Sequence, residues 1–282
     1  MGIARLLAFA ALVAPVGLWA ADSLPTELDS ADRRAELIGW EAVGRLDVAG
    51  LQTCSGALIA PDLVLTAAHC VLDDKSRKVD PSKITFRAGL RNGDYVAASR
   101  GRATAYAAGY RNDVDVSAEM IRRDVALVQL ESPIPRALAQ PFLLHRSTRA
   151  RGELTVASYG QGRNAVLSIQ RTCNLLDLKA SIYTFDCDVT FGSSGAPVFA
   201  IDGVRPAILS VVSAVSTGQG RHVGLGMELT DVVEDLKREI ALGGGASTAA
   251  KPAVVKRITV GGGSQGGPKS RAVGNSKFLS SK

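Results

Sequence analysis

The chain has 282 residues, a net charge of +6, four cysteines and 46% hydrophobic residues. This length is enough for a sizeable core, in one long domain or two smaller ones. The charge is uneven, because the segment 243–282 carries seven basic and no acidic residues, so the rest of the chain sums to about −1. The composition therefore gives no reason to treat the folded body as a nucleic-acid binder.

The N-terminal segment 1–20 has the pattern of a secretory signal peptide. Arg5 precedes an apolar run from Leu6 to Leu18, and small residues follow at Ala20 and Ala21. We expect cleavage near these alanines and an exported protein, periplasmic or extracellular; an uncleaved anchor is the alternative. No later run approaches the roughly eighteen apolar residues of a membrane span.

The pattern after the signal peptide indicates an all-β protein in two halves. Residues 21–37 are polar and contain proline, and we expect a leader or propeptide with little structure. From 38 to 228, short apolar runs alternate with turn clusters, which is typical of an antiparallel β-sandwich or β-barrel. The two prolines in 131–135 favour a connection there, which divides the body into 38–135 and 136–228.

A single helix is predicted over 229–242, since its apolar positions recur at helical spacing and Gly243 follows it. The remaining segment, 243–282, is rich in small and basic residues and is predicted to be a disordered basic tail. Such a tail is either simply solvated or contacts an anionic surface of the cell envelope.

The cysteines form two locally spaced pairs, and an even number in an exported chain suggests disulfides. Two bridges would close loops of similar length, Cys54–Cys70 and Cys173–Cys187. The alternative is a metal site formed by Cys54, Cys70 and His69, but this set lacks a C-x-x-C pair and a fourth ligand nearby. No metal or other cofactor is expected.

Three motifs carry candidate chemistry, in the order His, Asp, Ser. His69 ends Thr66-Ala67-Ala68-His69-Cys70 after a strand, and Asp124 opens the apolar strand 124–130. Asp113 and Asp115 are rival acids in a polar loop. Ser194 lies in Gly192-Ser193-Ser194-Gly195-Ala196-Pro197, a turn of small residues that can present a hydroxyl beside free backbone N–H groups.

Over residues 38–242 these motifs resemble the trypsin/chymotrypsin-like serine peptidases of the bacterial secreted kind. The resemblance implies two packed antiparallel six-stranded β-barrels with a C-terminal helix, and an active site in the cleft between them. It also implies a serine endopeptidase that acts as a monomer on protein or peptide substrates. The alternative is a catalytically idle relative that binds peptides or an envelope polymer.

The resemblance assigns a role to each candidate residue. Ser194 is the nucleophile, His69 the general base and Asp124 the residue that orients the imidazole. The backbone N–H groups of Gly192 and Ser194 form the oxyanion hole.

Ser193 departs from the animal members, which carry Asp there to pair with a new N-terminal amine. A serine cannot form that ion pair, so we expect an oxyanion hole that does not depend on a free N-terminus near Ile38. Adding a few residues ahead of Gly39 should then leave the catalytic rate intact. Ala196 stands where many members of the family have Gly, a difference that bacterial relatives tolerate.

The specificity pocket is also implied by the resemblance. Asp188, six residues before the nucleophile, would be the acid at the pocket base that prefers Arg or Lys, or else a structural or surface aspartate. The walls would be formed by Ser213, Ala214 and Gly226, with Gly224 as the alternative to Gly226. His222 supports a rival preference for Glu.

Overall fold

The computed structural model describes residues 26–146, 152–201, 205–217, 222–243 and 279–281. The predicted signal peptide and most of the predicted tail lie outside the described residues. Within these ranges, none of the helices combines the length and the apolar character needed to cross a membrane.

The described residues are mostly β-structure, as predicted. The strands are β1 (Leu28–Ser30), β2 (Val43–Val48), β3 (Gln52–Ala60), β4 (Leu63–Thr66), β5 (Ile84–Ala88), β6 (Ala97–Tyr106), β7 (Ala126–Leu130), β8 (Glu153–Ser158), β9 (Ser168–Lys179), β10 (Ile182–Phe185), β11 (Pro197–Ala200), β12 (Ala207–Val211), β13 (Ala214–Ser216), β14 (Val223–Met227) and β15 (Leu279–Ser281). The helices are α1 (Ala118–Arg123) and α2 (Thr230–Gly243), with 3₁₀ turns at Arg34–Leu37, Ala68–Val71 and Pro81–Lys83.

The first half is a closed antiparallel barrel, which confirms the prediction for this half. Its six strands pair in the order β2-β3-β4-β7-β6-β5, and β5 returns to β2 to close it. Leu46, Leu58 and Phe86 are fully buried in its interior, as the two-residue period of a strand requires.

The second half is an open, half-barrel sheet, where the prediction was a closed six-stranded barrel. The strand order is β12-β11-β8-β9-β10-β14-β13-β15, with β1 added to β9. Where β12 approaches β14, the contact is a side-chain bond, in which Ser210 Oγ donates to the Met227 carbonyl at 2.9 Å. The Met227 carbonyl thus accepts from a side chain of β12 at this point.

The segment 26–37 has more structure than predicted for a leader. β1 pairs with β9 in antiparallel register, and Gln170 Nε2 donates to the Thr26 carbonyl at 2.7 Å. Ala31 and Leu37 are buried. These backbone pairings and buried side chains hold the segment on the second half. The polar composition of residues 21–37 does not reveal them.

One apolar cluster extends across both halves, and a second one lies within the second half. The Trp40 and Phe142 rings both contact Phe199, with centroids 5.2 and 4.7 Å away. Trp40 precedes the first barrel, Phe142 lies in the connection and Phe199 is on β11. This aromatic cluster holds the halves together.

The C-terminal helix is confirmed as α2, which lies against β6 and β7 through buried Val233, Leu236 and Ile240. In the predicted tail, the described residues 279–281 form β15, which pairs in parallel with β13. That short strand was not predicted.

Candidate active site

His69 is placed by a buried strand and a disulfide. All of β4 is buried, and the chain leaves it through the 3₁₀ turn Ala68–Val71. Cys70 in this turn is bonded to Cys54 on β3, and Gln52 Nε2 donates to the His69 carbonyl at 2.7 Å. The imidazole is therefore held on a fixed loop at the edge of the first barrel.

The structure confirms both cysteine pairs, Cys54–Cys70 and Cys173–Cys187. The sulfur atoms of Cys54 and Cys70 lie within 4.8 Å of a His69 ring nitrogen, as a metal site would need. Because both sulfurs are in a disulfide, neither is a thiolate ligand. The alternative of a metal site at these three residues is therefore wrong for the oxidised protein.

Asp124 follows α1 directly, and its backbone N–H donates to the Ile121 carbonyl, which ends the helix. Ser117 accepts from the Met120 N–H and caps the helix start. This helix was not predicted from the sequence, although Ser117 as a capping residue could have indicated where it begins. The turn delivers Asp124 into the core with none of its surface exposed.

The buried Asp124 carboxylate is satisfied by three donors. The backbone N–H of His69 donates to Oδ1 at 3.0 Å, and His69 Nδ1 lies 2.8 Å from Oδ2. Ser213 Oγ donates to Oδ2 at 2.6 Å. Three donors compensate the cost of burying the charge.

This contact sets the tautomer of His69. Since a carboxylate only accepts, Nδ1 carries the proton and Nε2 is left as an acceptor. Nε2 is buried and has no hydrogen-bond partner among the described residues. The Tyr110 hydroxyl is buried near the same carboxylate, and burial, reinforced by the Asp124 charge, raises its pKa. The rival acid Asp113 pairs instead with Arg111.

The segment 190–197 forms a tight turn that presents Ser194. The Ser193 N–H donates to the Thr190 carbonyl at 2.9 Å, and Gly192 has a φ of +83°. A Cβ on Gly192 would lie 2.6 Å from the Tyr159 carbonyl oxygen, so only glycine fits there. A Cβ on Gly195 would likewise meet Thr66 and Ala67, which places Ser194 beside the loop of His69.

The backbone N–H groups of Gly192 and Ser194 in this turn are free of hydrogen bonds within the described residues. The Phe191 carbonyl accepts from the Gln161 N–H at 2.5 Å, and the Ser193 carbonyl accepts from the Ala196 N–H at 2.8 Å. In a trans peptide the next N–H points opposite to the carbonyl. The N–H groups of Gly192 and Ser194 therefore point away from Gln161 and Ala196, the residues that bond the preceding carbonyls. Neither N–H has an acceptor within the described residues.

Ser55 on β3 connects the first barrel to this turn, a role that the motifs did not indicate. Its N–H donates to the Ser194 carbonyl at 2.8 Å, and its hydroxyl donates to the Gly192 carbonyl at 2.9 Å. The same hydroxyl accepts from the Tyr159 N–H at 2.9 Å. The only sequence signal was its position next to Cys54.

A cavity of about 390 Å³ lies beside the turn. It is lined by Asp186, Cys187, Asp188, Val189, Thr190, Val215, His222 and Val223. Asp188 and His222 are both exposed, so Asp188 lines the cavity without forming a buried base. The Asp186 carboxylate is occupied by Asn174, which donates to it from the backbone and from Nδ2.

The other predicted pocket residues do not line this cavity. Ser213 is fully buried and donates to Asp124, and Ala214 is fully buried. A Cβ on Gly226 would lie 2.2 Å from Ser210 Oγ, so Gly226 faces the interior of the sheet. Gly224 faces the buried Phe185 ring. Val215 lines the cavity.

Comparison with known proteins agrees with this architecture. Residues 54–205 match the model of the trypsin-like peptidase domain. A segment of 77 residues is 39% identical to the modular serine protease of Drosophila melanogaster, and the match spans 27% of this chain and only 10% of that protein.

Two solved structures share the fold. A Glu endopeptidase in complex with MPD is similar with a TM-score of 0.60 and 15% identity, over 72% of this chain and 91% of that chain. The thermostable serine protease AL20 from an extremophilic microorganism has a TM-score of 0.58 and 18% identity, over 72% and 98%. Since the family match extends over more than half of the chain, the protein belongs to the trypsin-like peptidase family.

Proposed function

We propose that the protein is an exported serine endopeptidase that hydrolyses peptide bonds with Ser194, His69 and Asp124. The observation that carries this proposal is the double hydrogen bond from His69 to the buried Asp124, which leaves Nε2 as a free acceptor. A core histidine with a structural role has no need of an unpartnered buried nitrogen. The two disulfides are consistent with export.

In the proposed reaction, Ser194 Oγ attacks the carbonyl carbon of the scissile bond and its proton passes to His69 Nε2. Asp124 stabilises the imidazolium, and the N–H groups of Gly192 and Ser194 stabilise the negative oxygen. The imidazolium then protonates the leaving amine as the C–N bond breaks. A water molecule, deprotonated by His69, attacks the acyl carbon; the ester C–O bond then breaks, and the imidazolium returns the proton to Ser194 Oγ.

A fluorophosphonate that reacts with activated serines tests the proposal. Wild-type protein should form one covalent adduct, located at Ser194 by peptide mass spectrometry, and Ser194→Ala should form none. The control is Ser210→Ala, which removes a different buried serine and should label like wild type. If the folded, oxidised wild type does not react, the protein is an idle relative that binds without cleaving.

For the substrate, we propose a preference for Arg or Lys before the cut. Asp188 supports this preference, because it lines the cavity and no other residue occupies its carboxylate among the hydrogen bonds of the described residues, whereas Asp186 is held by Asn174. His222 in the same cavity supports the rival preference for Glu.

Peptides that differ only at the residue before the cut separate the two preferences. Asp188→Asn should lower kcat/KM for Arg and Lys peptides and leave a Leu peptide unaffected. Asp177→Asn, an exposed aspartate on β9, is the matched control. A wild-type preference for Glu that is lost in His222→Ala would contradict the proposal.

A further inference from the structure

Ser193, next to the nucleophile, is the start of a polar chain beneath the turn. Its side chain is fully buried and accepts a hydrogen bond from the Thr190 N–H at 3.3 Å. The Ser193 hydroxyl in turn donates a hydrogen bond to Ser158 Oγ, 3.2 Å away at the end of β8. Ser193 therefore links the turn of residues 190–194 to the neighbouring strand.

Arg163 completes this chain from the other side. Its NH1 donates to the same Ser158 Oγ at 3.2 Å. Because a guanidinium only donates, Ser158 Oγ accepts from Arg163 as well as from Ser193, so the hydrogen bonds from the two sides converge on Ser158. The described contacts thus connect a permanently charged group to the residue before the nucleophile.

The Arg163 head group lies directly against the turn. A Cβ on Gly160 would lie 2.7 Å from Arg163 Cζ and 2.9 Å from Thr190 Cγ2, so these atoms share one small space. Glycine at position 160 leaves that space to the guanidinium. NH2 of Arg163 is buried and has no partner among the described residues.

The charge of Arg163 is costly at this place, which argues against an incidental contact. Burial lowers the pKa of its guanidinium, and the Asp188 charge opposes part of this effect. A guanidinium nevertheless stays protonated in proteins. A charge-assisted hydrogen bond is about twice as strong as a neutral one, and here it fixes Ser158 Oγ, the group to which Ser193 of the turn donates.

We propose that Arg163 is a positioning residue that, through Ser158 and Ser193, holds the turn of residues 190–194 so that the Gly192 and Ser194 N–H groups converge on the substrate oxygen. This inference rests on the proposed function. It explains from within the chain how the turn is held without an ion pair to a free N-terminus. Arg163 is not among the residues that line the cavity beside the turn, so its proposed role is through the geometry of the turn.

The variants Arg163→Met and Ser158→Ala, and the two combined, test this chain of contacts. On a Leu peptide, which does not depend on Asp188, both single changes should lower kcat at least tenfold with KM within threefold. The expected loss is in kcat because the substrate oxygen becomes negative only in the transition state. The double variant should be no worse than the worse single one, since both break the same chain. Arg163→Lys, which keeps a charged donor, should be less impaired than Arg163→Met.

The control is Arg171→Met, an arginine on β9 whose ion pair with Asp29 is at the surface. It should keep wild-type kcat, and thermal unfolding should show all variants folded. The proposal is overturned if Arg163→Met matches Arg171→Met in kcat, or if the losses of the two single variants multiply in the double variant.

Hydrogen–deuterium exchange of the peptide that covers residues 190–195 provides a readout that does not need activity. Exchange should rise in Arg163→Met and not in Arg171→Met. A wild type that fails to react with the fluorophosphonate defeats the proposed function, while faster exchange in Arg163→Met would still support the positioning role. Unchanged exchange in Arg163→Met would overturn that role even in an active enzyme.

Discussion

Replacing Ser213 by alanine isolates one of the three hydrogen bonds that hold the Asp124 carboxylate. Ser213 Oγ donates to Oδ2 at 2.6 Å, and both residues are fully buried. Water cannot easily replace the lost donor, so the full penalty of an under-satisfied buried charge applies. A hydrogen bond to a charged group contributes about 1.5–3 kcal/mol, and we expect the free energy of unfolding to fall by that amount.

The same change should slow catalysis, because Asp124 orients His69. If about half of the lost 1.5–3 kcal/mol is also lost at the transition state, kcat falls about four- to twelvefold. KM should change little, since Ser213 does not line the cavity. Urea unfolding followed by tryptophan fluorescence gives the stability, and initial rates on a peptide substrate give kcat and KM.

Ser210→Ala is a matched control for this experiment. Ser210 is equally buried and donates to a neutral acceptor, the Met227 carbonyl, at 2.9 Å. We expect it to cost about 0.5–1.5 kcal/mol and to leave kcat unchanged. If Ser213→Ala costs no more than Ser210→Ala and keeps wild-type kcat, then the charge on Asp124 is not supported by Ser213 and the reasoning fails.

Three further changes have definite expected outcomes. Asp124→Asn should lower kcat about 10⁴-fold in steady-state assays, because an amide cannot hold Nδ1–H as a carboxylate does. The double change Cys54→Ser/Cys70→Ser should lower the free energy of unfolding in urea by about 3 kcal/mol, since the bridge spans 16 residues. Burial raises the pKa of Tyr183 to about 12, with help from Glu228, so the unfolded state loses its phenol proton first. Stability measured against pH should therefore fall as the pH rises from about 10 towards 12, and less steeply in Tyr183→Phe.

Local sequence patterns predicted the strands of the first half, the C-terminal helix and both disulfides because each depends on near neighbours, whereas the barrel closed by β2 and β5 was implied by the family resemblance. Alternating buried residues mark the strands, and the cysteines of each pair are close along the chain. The opening of the second sheet was not predictable in this way. Strand pairing at the edges of a sheet is set by the three-dimensional arrangement, and contacts such as the bond from Ser210 Oγ to the Met227 carbonyl leave no mark on the local pattern of either strand.

The site residues differ in the same respect. The motifs around His69, Asp124 and Ser194 were visible because each needs a particular local turn, and the structure places the three in one region; their catalytic roles stay predictions. The pocket walls were extrapolated by position alone. The Ser213 hydroxyl donates to Asp124, a contact between residues 89 positions apart that no local pattern indicates.

Ser55 shows how the two halves jointly build the site. Its N–H and hydroxyl bind the carbonyls of Ser194 and Gly192, while its neighbour Cys54 is tied to Cys70 beside His69. A shift of β3 would therefore move the turn of Ser194 and the loop of His69 together. Because these bonds cross from the first barrel to the second half, the relative position of Ser194 and His69 depends on β3 as well as on the packing of the halves. Ser55 thus helps to fix the geometry of the proposed site, although its own side chain has no proposed role in the reaction.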